Sequence, residues 1–267
     1  MLPVSHFTVR SGRVPADFDG YTIVQLTDLH GRWFGPGNAE LIETVRAAAP
    51  RLIVMTGDMI NCLGDDGGSA LAVCRAFAGE VPLYFVGGNH ELVGLRRRPG
   101  DILRFLRQMS ALGVVRLGSG RRTIACGSGR IAVCGLELPL PYYLPIFDRR
   151  SRGTLSVAEM TRRAGPAPED FTVLLTHAPY FFPTFAGWGA DLIFAGHLHG
   201  GMVRLPLVGG VFSPDWTLFP KYAAGQFAHP RGGGGQSAMI VGRGLGSNHR
   251  PRIHNPPEVV VVTLRRA

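Results

Sequence analysis

One stretch near the amino end of the chain indicates both its fold and its chemistry: Ile23-Val24-Gln25-Leu26-Thr27-Asp28-Leu29-His30. Its first five residues are mostly apolar and rich in β-branched side chains, which is typical of a strand covered on both faces. The strand is followed at once by Asp28 and His30, two residue types that bind metal ions. The stretch therefore predicts a buried strand that presents metal ligands at its carboxyl end.

The same arrangement recurs four more times, always as a short apolar run that ends in a polar cluster. The runs and their clusters are Leu52–Thr56 before Gly57-Asp58, Leu83–Val86 before Gly88-Asn89-His90-Glu91, Thr172–Thr176 before His177, and Asp191–Ala195 before Gly196-His197-Leu198-His199. Ligands of open α/β sheets bind at the carboxyl ends of the strands. We therefore expect all five clusters to meet at one edge.

Helical patterns separate the first strands, over residues 38–49, 69–78 and 101–112, and we expect Ser69 and Asp101 to cap the last two. After residue 115 the chain becomes strand-rich, with runs at 123–126, 130–136, 171–176, 191–195, 238–241 and 259–264. We predict an α/β fold, a layered α/β/β/α sandwich of two mixed sheets flanked by helices. The 267 residues suit a single domain, 1–267, with surface excursions at about 138–168 and 202–222.

The formal net charge of +9 comes almost wholly from arginine, because Lys221 is the single lysine. An arginine-rich surface suits an anionic substrate, an anionic membrane or nucleic acid, and does not choose among them. The sequence lacks an obvious long lysine-rich or aromatic-stacking strip of the kind that binds nucleic acid. We therefore expect a phosphorylated small-molecule or lipid-linked substrate, and disfavour nucleic acid.

Targeting and redox signals are sparse. No run of about 18 apolar residues predicts a transmembrane helix, and the first residues lack the basic and apolar regions of a signal peptide. We expect a protein that is cytoplasmic or peripheral on the cytoplasmic face of the membrane. The four cysteines contain no CxxC pair, so neither a zinc ribbon nor a disulfide scaffold is indicated.

The candidate ligands share one donor chemistry. Aspartate and carboxamide oxygens are hard donors, histidine nitrogen is borderline, and no cysteine belongs to the series. Manganese, iron and zinc all suit such donors, whereas a thiolate zinc site is excluded. Two ions about 3.5 to 4 Å apart can hold a bridging hydroxide at neutral pH and clamp phosphate oxygens. The series therefore points to a two-metal hydrolase.

The order Asp-x-His, Gly-Asp, Gly-Asn-His-Glu, His and Gly-His-x-His, from Asp28 to His199, resembles the calcineurin-like metallophosphoesterases. The resemblance implies the metallo-dependent phosphatase fold and two divalent ions, manganese first, with iron or zinc as alternatives. It implies that Asp58 bridges the ions. One ion would be bound by Asp28, His30, Asp58 and His199, and the other by Asp58, Asn89, His177 and His197.

The same resemblance makes His90, next to the Asn89 ligand, the candidate acid that protonates the leaving oxygen. We expect Glu91 to orient His90. The candidates for substrate binding are Arg32, Arg96, Arg97 and Glu91, although charge runs such as 96–98 are usually solvated faces. The implied reaction is in-line attack of a metal-bridging hydroxide on a phosphodiester or a pyrophosphate.

A narrower resemblance extends the match towards the carboxyl end. It rests on residues 196–206, 219–225, 243–246 and 257–258 and looks like a bacterial subgroup of cell-envelope phosphodiesterases. That subgroup includes a UDP-2,3-diacylglucosamine pyrophosphohydrolase of lipid A synthesis. The resemblance implies UDP-2,3-diacylglucosamine or another lipid-linked or envelope substrate. Apolar excursions beside arginines would then receive acyl chains or rest on an anionic membrane.

Each assignment has a plainer competitor. Asp28 or Asp58 alone could cap a helix, His177 alone could be a hydrogen-bonded core histidine, and the apolar excursions could simply cap the sandwich core. At the level of function, the alternatives are a nuclease or cyclic-nucleotide phosphodiesterase, and a metal-binding scaffold without catalysis. The intact series, in one order, favours the enzyme.

Overall fold

The computed structural model describes residues 1–143, 153–247 and 252–267. Its strands are β1 (Val4–Ser11), β2 (Thr22–Leu26), β3 (Leu52–Thr56), β4 (Leu83–Val86), β5 (Val115–Arg116), β6 (Arg121–Cys126), β7 (Gly129–Leu136), β8 (Phe171–Thr176), β9 (Leu192–Ala195), β10 (Val203–Leu205), β11 (Gly209–Phe212), β12 (Gly225–Pro230), β13 (Gln236–Val241) and β14 (Val259–Arg266). Its helices are α1 (Ala39–Ala47), α2 (Gly68–Phe77), α3 (Asn89–Arg97), α4 (Pro99–Ala111), α5 (Val157–Ala164) and α6 (Phe182–Trp188).

Most of the strands form two mixed sheets of six strands each. The first sheet has the order β1-β14-β2-β3-β4-β5 and the second the order β12-β13-β9-β8-β7-β6. Strands β2 to β5 run parallel to one another, as do β7 to β9. Their carboxyl ends therefore lie at common sheet edges, as the apolar runs predicted.

The layering follows from the alternation of side chains along each strand. In β3, Leu52 and Val54 pack into the core between the two sheets. Ile53 and Met55 point to the other face and belong to the core formed with helices α1, α2 and α4. In β8, Val173 and Leu175 belong to the same central core, and the outer core contains α5 and α6. Every residue of both strands is buried. The predicted α/β/β/α sandwich is confirmed.

Two details of the predicted helices are wrong. Ser69 does not cap α2, because the helix begins at Gly68 and Gly67 is its N-cap. The Ser69 hydroxyl instead accepts a hydrogen bond from Asn38 Nδ2 at 2.8 Å. Asp101 lies inside α4, because Pro99 already suits the first turn of a helix, and its carboxylate accepts from the guanidinium of Arg98. Helix α3 was not predicted, since its first residues carry the polar cluster that follows β4.

The two expected excursions have structure of their own. The stretch 138–168 contains a short 3-10 helix (Leu140–Tyr143) and α5, and its residues 144–152 lie outside the described part of the chain. The stretch 202–222 contains β10 and β11, which pair with each other outside both large sheets. Among the described residues, no helix is long and apolar enough to cross a membrane.

Replacing Leu175 by alanine should lower the free energy of unfolding by about 2–5 kcal/mol, because Leu175 is fully buried between the sheets and its removal leaves a cavity. The matched control, Leu207→Ala, changes a fully exposed leucine and should stay within about 0.5 kcal/mol of the wild type. Urea unfolding followed by circular dichroism measures both. Equal stability of the two variants would contradict this description of the core.

Candidate metal centre

The loops that follow five strands bring the predicted ligands to one place. The first sheet contributes Asp28 and His30 after β2, Asp58 after β3, and Asn89 at the start of α3 after β4. The second sheet contributes His177 after β8, and His197 and His199 after β9. The candidate centre therefore lies where the carboxyl ends of both sheets meet, and neither sheet contains it alone.

Among the described residues, three groups of three side chains have donor atoms within 4.8 Å of one another, and two of them match the predicted ion sites: Asp28 with His30 and His199, and Asp58 with His177 and His197. In the first group, His199 Nε2 lies 3.6 Å from Asp28 Oδ1 and 3.3 Å from His30 Nε2. In the second, His177 Nε2 lies 3.2 Å from Asp58 Oδ2. Each of these two groups contains three of the four ligands that the sequence assigned to one ion.

The carboxylate of Asp58, a member of the second group, also reaches the first group. Its Oδ2 is 3.2 Å from His177 Nε2 and 3.8 Å from His30 Nε2, so one carboxylate reaches nitrogen donors of both. Asn89 adds an amide oxygen that is buried and accepts no hydrogen bond from the described residues. Such an oxygen costs free energy unless a cation or another partner binds it. The carboxylate and imidazole donors and the unpaired amide oxygen of Asn89 all fit a pair of divalent ions.

Because the site is buried, its charged groups shift one another's pKa values strongly. Burial raises the pKa of Asp28 to about 6. The charge of Asp58 raises this pKa further, whereas His177 lowers it. For Asp58 burial acts in the same direction, but neighbouring histidines, above all His177, outweigh it and hold the pKa well below its ordinary value. Burial disfavours the imidazolium of His177, yet Asp58 and Asp28 outweigh this effect and raise its pKa to about 10. The pocket therefore favours positive charge, whether a proton or a metal ion.

The Glu91 carboxylate holds the Asp58 loop through hydrogen bonds with its backbone. This carboxylate is buried and accepts four backbone N–H hydrogen bonds of 2.7–3.3 Å, from Gly88, Asp58, Met59 and Ile60. Burial and the charge of Asp58 raise its pKa to about 7. These contacts show that Glu91 holds the backbone of two candidate ligand loops, while its expected roles in binding substrate and in orienting His90 stay predictions.

His90 lies at the edge of the ligand cluster and is half-buried. Its backbone N–H donates to Asp58 Oδ1 at 2.8 Å, and its Nδ1 accepts the backbone N–H of Cys62 at 3.3 Å. The ring packs edge-on against His30, with ring centroids 4.5 Å apart. Because Nδ1 is an acceptor, the proton of the neutral ring is on Nε2. His90 also forms a donor group with His30 and Asp58, so its position suits either a rim residue or a ligand.

The backbone of the ligand loops is strained. Five candidate ligands have φ between 48° and 73°, a region that non-glycine residues adopt rarely: Asp28, His30, Asp58, His197 and His199. Cross-loop hydrogen bonds hold this geometry, including His30 N–H to Asp58 O at 3.0 Å. A side chain at Gly88 would collide with the Asp58 carboxylate, which explains the glycine of the Gly-Asn-His-Glu cluster.

The predicted substrate residues do not line the cavity at the ligands. That cavity has a volume of about 170 Å³, and its described lining consists of His30, Asp58, Asn89, His90, Tyr143, His197, His199, Pro214, Asp215 and Trp216. Arg32 is exposed and stacks over Phe34 with its guanidinium 4.8 Å from the ring centroid. Arg96 and Arg97 are exposed near the end of α3. Their role in binding substrate stays a prediction.

Sequence reasoning missed two contributors to the site. Arg252 is largely buried, and its guanidinium donates to the Gly246 carbonyl at 2.7 Å, which in turn lies 3.2 Å from His199 Nδ1. Burial lowers the pKa of Arg252 to about 10. Asp215 and Trp216 reach the cavity from the second excursion. No local pattern marks Arg252, and the only sequence signal for the loop was its run of aromatic residues and prolines.

Comparison with known proteins gives one family match. The family model described as calcineurin-like phosphoesterase matches residues 21–201. The chain is 28% identical over 270 residues to YkuE, an uncharacterised metallophosphoesterase of Bacillus subtilis, covering 99% of this chain and 86% of YkuE. It is 27% identical over 103 residues to the UDP-2,3-diacylglucosamine pyrophosphatase LpxG of Chlamydia muridarum, covering 34% of this chain and 28% of LpxG.

A solved structure supports the fold. The NAD nucleotidase of Haemophilus influenzae is similar with a TM-score of 0.54 at 15% identity. The match covers 84% of this chain and 45% of that protein, so the chain spans about half the length of this structural neighbour.

Binding of Mn²⁺ should release protons, because His177 with a pKa of about 10 is protonated at neutral pH and an imidazolium must lose its proton before it can bind a metal ion. Affinity should rise as pH increases from 6 to 7.5, by about tenfold per pH unit for each released proton. Calorimetric titration in buffers of different ionisation enthalpy counts those protons. His177→Gln should reduce the count by about one, while His6→Ala, at an exposed histidine, should not. Affinity that is independent of pH would contradict the assignment.

Proposed function

The chain belongs to the calcineurin-like phosphoesterase family, and we propose that it is a dinuclear-metal-dependent hydrolase of phosphodiester or pyrophosphate bonds. The observation that carries this proposal is the pair of buried donor groups that the Asp58 carboxylate links. Carboxylates, imidazoles and an amide oxygen at such short range are suited to two divalent ions and poorly suited to an apolar or anionic ligand.

In this proposal the ligands are the two sets predicted from the sequence. One ion is bound by Asp28, His30, Asp58 and His199, and the other by Asp58, Asn89, His177 and His197. Bound divalent ions lower the pKa of a coordinated water molecule and neutralise phosphate oxygens. We propose manganese, and the same donors accept iron or zinc. Glu91 would keep the Asp58 and Asn89 loops in register without touching an ion.

We assign the protonation of the leaving oxygen to His90. With Nδ1 engaged by the Cys62 N–H, the neutral ring offers its proton from Nε2. The side chain lines the same cavity of about 170 Å³ as Asp58 and Asn89. A cavity of that size at the ligands suits a phosphoryl group, and an imidazole in its wall is placed to donate a proton to the departing oxygen.

Replacement of Asp58 by asparagine should abolish Mn²⁺-dependent hydrolysis of bis-p-nitrophenyl phosphate, because the shared carboxylate is lost. His90→Asn should lower kcat by about 10²- to 10⁴-fold for a diester with an alkoxide leaving group. The loss should be smaller with p-nitrophenolate, which leaves without a proton. His6→Asn is the control, an exposed histidine far along the chain from the ligand loops.

Full activity in both variants would overturn the mechanism. Equal losses by His90→Asn on the two leaving groups would remove His90 as the acid and leave the metal centre standing. A panel of UDP-2,3-diacylglucosamine, simple phosphodiesters, cyclic nucleotides and single-stranded DNA separates the remaining alternatives. No hydrolysis of any of them by folded, metal-loaded protein would favour the scaffold over the enzyme.

For the natural substrate we propose a lipid-linked phosphoester, with UDP-2,3-diacylglucosamine as the best-defined candidate. The local similarity to LpxG supports this class. The surface supports it independently, because six large apolar side chains of the second excursion are exposed: Leu205, Leu207, Val208, Trp216, Leu218 and Phe219. Clustered exposed apolar groups mark contact sites. With a net charge of +9, we propose that this surface touches an anionic membrane.

The double variant Leu207→Ser/Val208→Ser should reduce co-sedimentation with phosphatidylglycerol vesicles, because it removes two exposed apolar groups at the turn between β10 and β11. Leu63→Ser, at another exposed leucine, should bind as the wild type does. Binding should also weaken as salt rises, since part of the attraction is electrostatic. Failure of the wild type to bind at low salt, or equal binding by all three proteins, would remove the membrane contact.

A further inference from the structure

A second and larger cavity, of about 510 Å³, lies beside the metal centre. Its walls come from residues 153–155, from Tyr180, Phe181 and Leu198, and from Thr217 and residues 220–222. Most of the side chains that face it are apolar or aromatic. Lys221 is the one charged side chain in its described lining, and it is exposed, with Nζ 5.2 Å from the ring centroid of Tyr222.

The two cavities share a wall. Leu198 lies in the chain between the candidate ligands His197 and His199 and lines the larger cavity. Tyr180 also lines it, and its ring packs edge-on against His197 with ring centroids 5.7 Å apart. The Tyr180 hydroxyl donates to Asp215 Oδ2 at 2.8 Å, and Asp215 lines the metal cavity on the other side. A molecule with its phosphorus at the metal centre therefore has the larger cavity within reach.

The chemistry of the two cavities differs sharply. The smaller one contains the carboxylate and imidazole donors and suits a phosphoryl group. The larger one is lined mainly by apolar and aromatic groups, and two of its hydroxyls, those of Tyr180 and Thr217, already donate to Asp215, the latter at 3.0 Å. A nucleobase placed there would leave ring nitrogens and carbonyl groups without partners, which is costly. An aliphatic chain has no such groups.

We infer that the larger cavity binds an aliphatic chain of the phosphoester substrate while its phosphoryl group is held at the metal centre. The inference rests on the proposed hydrolase function and adds to it a residue-level basis for substrate choice. Each methylene that leaves water for such a cavity favours binding by up to about fourfold. Chain length should therefore control the efficiency of hydrolysis, up to the length that fills the cavity.

The test uses p-nitrophenyl phosphodiesters whose second ester group is methyl, butyl or octyl, hydrolysed by the full chain with Mn²⁺. We expect kcat/KM to rise by about two- to fourfold per methylene over the first part of the series. Thr154→Trp adds an indole at an exposed position of the lining and should lower the octyl-to-methyl ratio by about tenfold or more. The matched control is Thr123→Trp at an exposed position on β6, which should keep the wild-type ratio.

A binding measurement separates this inference from the proposed function. Calorimetry should show octyl phosphate binding more tightly than methyl phosphate, and Thr154→Trp should remove the difference even if no ester is hydrolysed. Hydrolysis of the methyl diester with no dependence on chain length would overturn the cavity assignment while leaving the hydrolase intact. A 2-phenylethyl diester that outperforms the octyl diester of equal carbon number would overturn the aliphatic assignment.

Discussion

Two carboxylates without access to solvent, Asp28 and Asp58, impose the main constraint on this structure. A buried charge is costly unless opposite charge or hydrogen bonds compensate it. The imidazole of His177 compensates both carboxylates, because its Nε2 lies 3.8 Å from Asp28 Oδ1 and 3.2 Å from Asp58 Oδ2. The nearby Glu91 adds a third buried carboxylate, compensated by backbone N–H groups. So much buried negative charge favours the binding of cations at this site.

The sandwich holds this charge in place because its two sheets supply complementary donors. The first sheet provides the candidate oxygen ligands and the second provides most of the imidazoles, so the cluster of candidate ligands joins the two layers. The loops that carry the ligands are strained at positive φ, and they keep this conformation through hydrogen bonds to one another. Rigid strands beneath and cross-linked loops above leave little freedom for the donors to relax apart, which is the preorganisation that metal-assisted chemistry needs.

The parts of this architecture that sequence predicted are those with a local signal. Apolar runs such as Leu52–Thr56 and Phe171–Thr176 are buried on both faces, so their composition alone marked them as central strands. The ligand clusters follow such runs directly, which is why their meeting point could be inferred.

What sequence could not predict depends on contacts between distant segments. Arg252 acts on the loop next to His199, and Tyr180 meets Asp215 across 35 positions of the chain. The hydrogen bonds of the Glu91 carboxylate with the Asp58 loop join residues more than 30 positions apart, and no local pattern predicts them. The strand β14 lies between β1 and β2, pairing with both. Strand β1 therefore has no strand partner, and β2 has only β3, until Val259–Arg266 has been synthesised, and pairing over such sequence distances is slow. Because Asp28 and His30 follow β2 directly, these first candidate ligands belong to a sheet that is complete only after the last strand of the chain has paired.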